Sequence, residues 1–244
     1  IGITGSNGKT TTTTLIGLML DEAGLKPVVA GNIGRALTEA APEVTAENWM
    51  VVELSSFQLK GTTSFRPTIG IFTNLYETHL DYHGTLEDYI ASKAKLFENQ
   101  TEDDTAILNW DDEVCRSLMA SLKAKQLHFS MKEKLAKGVY FDADTNMLVY
   151  ANGRDPVQSI LPATDMGIPG SFNVENALAA AAAAITAGVT LDVIANVLRN
   201  FRGVEHRLEL VRELNNVTFY NNSKATNAAA TIKSIEVFKQ PIIL

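Results

Sequence analysis

A mostly parallel α/β sheet with helices on both faces is the fold class this sequence predicts, and three observations predict it. Short β-rich runs bounded by turn residues alternate with helical stretches along most of the chain, the pattern of strand, crossover and parallel strand. The first such run leads directly into a glycine-flanked turn and then a helix. With 45% hydrophobic and 20% charged residues among 244, the chain can bury one large core or two modest ones.

Taken in order, residues 1–3 read as the carboxyl end of a strand. The threonine-rich segment from Thr10 runs into Leu15-Ile16-Gly17-Leu18-Met19-Leu20, a buried helix ending near Gly24. Residues 27–30, 49–54 and 68–73 are strands, and Glu53 and Asn74 stand at the polar ends of the last two. Residues 85–100 form a helix with Thr85 as N-cap and Asp88 at its third position, the acidic partner of a capping box. Residues 105–109 are a strand. Short strands follow over 127–161, with a hairpin of 138–141 and 147–150 joined through Asp144-Thr145-Asn146. Residues 171–187 and 191–200 are helices separated by Gly188. A boundary at Arg202-Gly203 divides a central domain, 1–203, from the beginning of a second, 204–244, which restarts as strands 208–212 and 217–220, a helix 225–238 and a terminal strand.

Bulk properties narrow the function classes. A formal charge of -7 argues against a sequence-independent grip on nucleic acid, so any bound anion is held locally. The single cysteine, Cys115, forms no internal disulfide, which fits a reducing compartment, and the cytoplasm is the expected location. No apolar run approaches the roughly 20 residues of a membrane span. A monomer with small-molecule partners, and neither nucleic acid nor membrane, is the expectation. The chain opens without Met on a strand end and stops on Pro241-Ile242-Ile243-Leu244, which suggests a piece cut at both ends.

The opening turn carries the chemistry. Gly5-Ser6-Asn7-Gly8-Lys9-Thr10 matches the phosphate-binding pattern G-x-x-x-x-G-K-[ST] except that Ile3 stands at its first glycine. Glycines let backbone N–H groups curl around phosphate oxygens, the helix start adds its positive end, Lys9 meets the outer phosphates, and the Thr10 hydroxyl can ligate Mg²⁺, with Thr11 next in the turn. A plain glycine-rich turn with a solvated lysine is the alternative. The position between strand and helix favours a nucleotide and a P-loop-type sheet.

Three further segments bear a resemblance: "VVELSSFQL" at 51–59, "NLYETHLDYHGTLEDYIASKAKLFEN" at 74–99, and "HRLEL" with "YNNSKATN" between 206 and 227. They are similar to the Mur ligases, ATP-dependent amide-forming enzymes of peptidoglycan synthesis, and most like the branch that adds D-glutamate to UDP-MurNAc-L-Ala. The resemblance implies ATP and two Mg²⁺ sites, with Glu53 beside Thr10 at one and His79 at the other. It implies that Lys93 is carbamylated, CO₂ turning a cation into a carboxylate-like group, and that Lys95 is solvated. Asn173 and Asn176 are similar to the adenine-reading asparagines, Arg207 to an arginine that reaches the nucleotide, and Lys224 and Thr226 to residues near the transferred phosphate and the incoming amino acid. Asn32, Ser55 and His79 would face the muramoyl-alanine end of the acceptor. By themselves Glu53 and His79 read as solvated surface residues, Lys93 as part of a solvated helix face, and Asn173 or Asn176 as a helix cap.

Two positions depart from the family pattern. Asn222 replaces the usual Asp before Ser-Lys, leaving an uncharged ribose contact, and Thr78 replaces the Asp that commonly precedes His79, loosening its orientation. The implied activity is an acid–amino-acid ligase working through an acyl phosphate. The missing domains would leave this segment a weak ATP binder that does not catalyse alone. The competing readings are a sibling ligase for another amino acid or for folate glutamylation, and a nucleotide-sensing module without catalysis.

Overall fold

The computed structural model describes residues 1–225, 228–238 and 240–244. The chain runs β1 (Gly2–Thr4), α1 (Lys9–Glu22), β2 (Pro27–Gly31), α2 (Leu37–Ala40), β3 (Trp49–Glu53), α3 (Ser56–Lys60), β4 (Ile69–Phe72), α4 (Leu80–His83), α5 (Leu86–Ala94), β5 (Thr105–Asn109) and α6 (Glu113–Leu118). It continues as β6 (Lys125–Ser130), β7 (Lys137–Asp142), β8 (Met147–Asn152), β9 (Gln158–Pro162), α7 (Ser171–Thr186), α8 (Leu191–Asn200), β10 (Glu209–Leu214), β11 (Val217–Asn221) and α9 (Ala228–Ile235).

Nine strands form one sheet in the order β2-β3-β1-β4-β5-β6-β7-β8-β9, and β10 pairs with β11 separately. Neighbours are parallel from β2 through β7. The pairs β7–β8 and β8–β9 are antiparallel. The expected α/β class and the expected hairpin are both present. Ile3 on central β1 is in register with Glu53 on β3 and Ile71 on β4. Because chain order reverses on either side of β1, the crevice beyond its carboxyl end is where a ligand site belongs.

The period-two alternation of strand side chains builds a core on each face. Val51, Ile71 and Ile107 point into one cluster with Leu15, Ile16, Met19 and Leu20 of α1. Their neighbours Val52, Phe72 and Leu108 point into the other, with Leu59, Leu96, Phe97 and Cys115. Helix α7 lies against α1, and from Ala177 to Ala184 it is fully buried. Small side chains there allow a close approach of the two helices, with little rotamer entropy lost on folding.

Several boundaries differ from the sequence expectation. The helix expected over 85–100 ends at Ala94, and the chain continues in tight turns bonded three residues back, such as Leu96 to Lys93 and Phe97 to Ala94. Those turns aim Leu96 and Phe97 into the second core, and tertiary burial overrides helix propensity. The last helix, expected over 225–238, is described over Ala228–Ile235 and stops short of 238; residues 226 and 227 lie outside the described residues. Residues 241–244 form no strand. Strands 208–212 and 217–220 appear as the antiparallel β10 and β11, with a bulge between Leu210 and Arg212. No helix among the described residues is long and apolar enough to cross a membrane.

Candidate nucleotide and acceptor site

The loop between β1 and α1 is held in shape by its neighbours. Gly5 (φ +147) and Gly8 (φ +81) adopt conformations that side chains avoid, and a Cβ would collide with the Thr73 hydroxyl at Gly5 and with the Asn176 carboxamide oxygen at Gly8. The Ser6 amide donates to Asn74 O at 2.8 Å, and the Asn7 amide to Asn74 Oδ1 at 2.9 Å. Thr73 Oγ1 donates to Asn7 O at 2.7 Å. Ser6 Oγ meets Tyr89 OH at 3.0 Å and donates to Tyr76 O at 3.0 Å. No side chain caps α1 and no acidic residue lies in its first turn, so the first-turn amides of Lys9, Thr10 and Thr11 suit an anion.

Around this loop the structure gathers three cations and one carboxylate. Lys9 Nζ donates to Gly5 O and Ser6 O, both at 3.0 Å. Burial lowers its pKa, Glu53 opposes that, and Arg207 adds to it. Lys93 is 2% exposed, donates to Gly5 O at 2.7 Å and Thr4 Oγ1 at 3.4 Å, and lies 4.9 Å above the Tyr89 ring. Burial first, and then repulsion from Lys9, pushes its pKa down to about 7 against the pull of Glu53. Burial also lowers Arg207, again opposed by Glu53.

Glu53, 2% exposed at the end of β3, accepts from Asn32 Nδ2 at 3.0 Å through Oε1, while its Oε2 is buried without a hydrogen-bond partner. Such an atom is costly unless something positive completes it. With Thr10 buried in the first turn of α1, Glu53 Oε2 is the feature that fits a divalent cation. Among the described residues no three His, Cys, Asp or Glu side chains converge as a metal-binding group, so a second cation would depend on other ligand types.

The expected acceptor side is more open. His79 is exposed, has φ 59, and presents its ring to Phe57 at 5.2 Å and to Tyr89 at 6.3 Å. It therefore reaches the cluster through the Tyr89 ring. The Ser55 side chain is engaged in a capping box with Gln58 at the start of α3. Beneath them His83 is buried, with Nδ1 2.7 Å from Asp88 and Nε2 3.0 Å from the Ser56 hydroxyl.

The far side is built by the start of α7. Asn176 packs on Gly8, and Asn173 Nδ2 donates to Pro169 O at 2.5 Å. A cavity of about 420 Å³ opens there, lined by Met131, Ser171, Phe172, Glu175, Glu236 and Val237. Thr11, Asn173 and Arg207 share the wall of a narrow adjoining crevice. Asn222 Oδ1 accepts from the Leu208 amide at 3.2 Å and so shapes the turn that carries Arg207. Lys224 is exposed, and Thr226 lies outside the described residues. Sequence reasoning missed Tyr89, His83 and Glu175. The signal for Tyr89 is its spacing of four from Lys93, which puts both on one face of α5.

Residues 3–184 match the Mur ligase middle domain. Over its whole length the chain is 47% identical to the UDP-N-acetylmuramoylalanine–D-glutamate ligase of Bacillus velezensis and 48% identical to that of Geobacillus kaustophilus, covering 52% and 53% of them. The chain thus spans about half the length of the curated relatives it matches. Among solved structures, a UDP-N-acetylmuramoyl-L-alanyl-D-glutamate–2,6-diaminopimelate ligase aligns with TM-score 0.69 and 26% identity over 87% of this chain and 48% of that one. A UDP-N-acetylmuramoylalanyl-D-glutamyl-2,6-diaminopimelate–D-alanyl-D-alanyl ligase from Acinetobacter baumannii shares the fold, with TM-score 0.75 at 20% identity over 97% and 53%.

Proposed function

Since the chain belongs to the Mur ligase family, we propose that it is the nucleotide-handling part of an ATP-dependent ligase that joins D-glutamate to UDP-N-acetylmuramoyl-L-alanine. Residues 1–203 act as the central domain, and 204–244 begin a domain that holds the amino acid. The observation that carries the proposal is the set of buried Lys93 and half-buried Lys9 and Arg207 around buried Glu53 at the phosphate loop. The identity of 46–48% to D-glutamate ligases over almost the whole chain favours that amino acid over the sibling reactions.

A carboxylate and an amine form an amide in water only if a carboxylate oxygen becomes a leaving group. Transfer of the γ-phosphoryl group of ATP to the acceptor carboxylate gives an acyl phosphate and ADP. The D-glutamate amine then attacks the acyl carbon, loses a proton and expels inorganic phosphate. Such phosphoryl transfer needs positioning and charge neutralisation above all. Lys9 and the first-turn amides hold the outer phosphates, Arg207 approaches from the far side, and Asn173 and Asn176 border the base, with Asn222 setting the Arg207 turn. Mg²⁺, when bound by Thr10 and Glu53, supplies further neutralisation of phosphate charge. His79 and carbamylated Lys93 would hold the second ion.

With its pKa near 7, Lys93 carries a free lone pair on much of the population at neutral pH. Attack of that amine on CO₂ forms an N–C bond and releases one proton. Asn32 and Ser55 border the acceptor, and Lys224 and Thr226 act with the incoming amino acid.

The test supplies the full-length protein with ATP, Mg²⁺ and UDP-MurNAc-L-Ala and compares phosphate release across amino acids. D-glutamate should support the fastest release. A faster rate with another amino acid, or release independent of any amino acid, would overturn the assignment. The 244 residues alone should give no amide product.

A further inference from the structure

Glu175 belongs to two parts of the molecule at once. Its side chain lines the 420 Å³ cavity at the start of α7. Its Oε1 also accepts from Asn109 Nδ2 at 2.7 Å and from Asn74 Nδ2 at 3.4 Å. Asn74 in turn holds the phosphate loop, taking the Asn7 amide on Oδ1 and the Ser6 amide on its main-chain oxygen. Asn109 Nδ2 also donates to Thr73 O at 2.9 Å, and Thr73 Oγ1 donates to Asn7 O at 2.7 Å. Two routes therefore run from the cavity wall to Asn7, and both begin at one carboxylate oxygen.

The chemistry of a carboxamide makes this link directional. The Asn74 oxygen accepts from the Asn7 amide while its NH₂ faces Glu175 Oε1, so the carboxylate favours this orientation of the carboxamide over the turned-over one. Without it, a turned-over Asn74 would place NH₂ against the Asn7 N–H, donor against donor, and the loop would lose its register. We infer that Asn74 and Glu175 are positioning residues that tie the cavity beside α7 to the setting of the phosphate loop, so that a residue on the base side governs the grip on the phosphates. The inference rests on the nucleotide reading proposed above and deepens it.

Titration calorimetry of the full-length protein with Mg²⁺, using ATP and inorganic tripolyphosphate as separate probes, distinguishes the possibilities. Tripolyphosphate has no base, so a residue that only contacts the base leaves its affinity unchanged. Glu175→Ala and Asn74→Ala should each weaken tripolyphosphate about tenfold, and the double variant should lose clearly less than the two losses combined, since the route through Asn74 is common to both. Glu175→Gln keeps an acceptor oxygen in place and should stay within about twofold of wild type. Asn74→Asp sets a second carboxylate against Glu175 Oε1 and should weaken binding. Tolerance of Glu175→Gln beside loss in Glu175→Ala, read with a probe that has no base, is not expected of a residue that merely contacts the base. A Glu175→Ala protein that loses ATP affinity but keeps full tripolyphosphate affinity would overturn the inference, as would losses that add in the double variant. A wild-type protein that binds neither probe would sink the nucleotide reading itself.

Discussion

The nine-stranded body and the β10–β11 ribbon use the same β-rich vocabulary with opposite results. In the body, Ile71 and Phe72 are adjacent in sequence and both fully buried, each in a different core. In the ribbon, Leu210, Val211, Leu214, Val217, Phe219 and Tyr220 are all exposed. Apolar strand residues become stability only when another layer covers them, and among the described residues that layer covers the body far more fully than the ribbon. The attachment between the two regions runs through the edge of the candidate site: half-buried Arg207 feels the Glu53 charge, and Tyr220, paired with Phe238 at 4.7 Å, shares a crevice with Thr11 and Asn173. The seam between a well-covered and a poorly covered region is thus also where phosphates would sit.

Substitutions can break or sharpen that contrast. The largest effect is expected in the body, where Ala181→Leu would force a larger side chain into the fully buried core around α7 and destabilise the fold by about 1–3 kcal/mol in urea unfolding. At the seam, Arg207→Met in the full-length protein should weaken ATP about tenfold while leaving the urea midpoint in place. A shifted midpoint with unchanged affinity would make Arg207 a structural tie only.

Lys93 gives a pH-dependent effect. The unfolded chain keeps this proton to about pH 10.5 and the folded chain only to about 7. The unfolded state therefore binds more protons between those values, and stability should rise as pH increases across the window. Below it, the penalty for burying the charged amine is fully present. Unfolding in CO₂-depleted buffer should show that rise, and Lys93→Met should flatten it. The smallest effect belongs to the ribbon, where Leu210→Ser should change body stability by less than about 0.5 kcal/mol. A larger loss would mean that the ribbon is integral to the body.

The parts of the fold legible in the sequence are those coded locally. Strand β3 ends at Glu53 and β7–β8 turns through Asn146 at φ 55 because β-branched runs and turn residues mark those limits by themselves. Thr85 caps α5 by accepting from the Asp88 amide, but the Asp88 carboxylate is engaged by Lys60 and His83, so only half of the expected capping box forms. Helices α3 and α4, of five and four residues, are too short to show a helical period. The end of α5 at Ala94 depends on burial of Leu96 and Phe97 against distant strands.

The same division holds in the site. Lys9 and Thr10 announce themselves through the glycines around them, and the structure brings Lys9, Glu53, Lys93 and Arg207 within electrostatic reach of one another. Glu175 carries no local sign, because its partners Asn74 and Asn109 are 101 and 66 residues away in the chain. Lys224 is exposed and Thr226 lies outside the described residues, and short-range pattern says little about either role.

The ribbon has a practical consequence for anyone purifying this polypeptide. A two-stranded sheet leaves one hydrogen-bonding edge open on each strand, and here those edges are flanked by Leu210, Val217 and Phe219 in water. Concentrated stocks should therefore self-associate by edge-to-edge pairing, and light scattering should rise with protein concentration long before the body begins to melt.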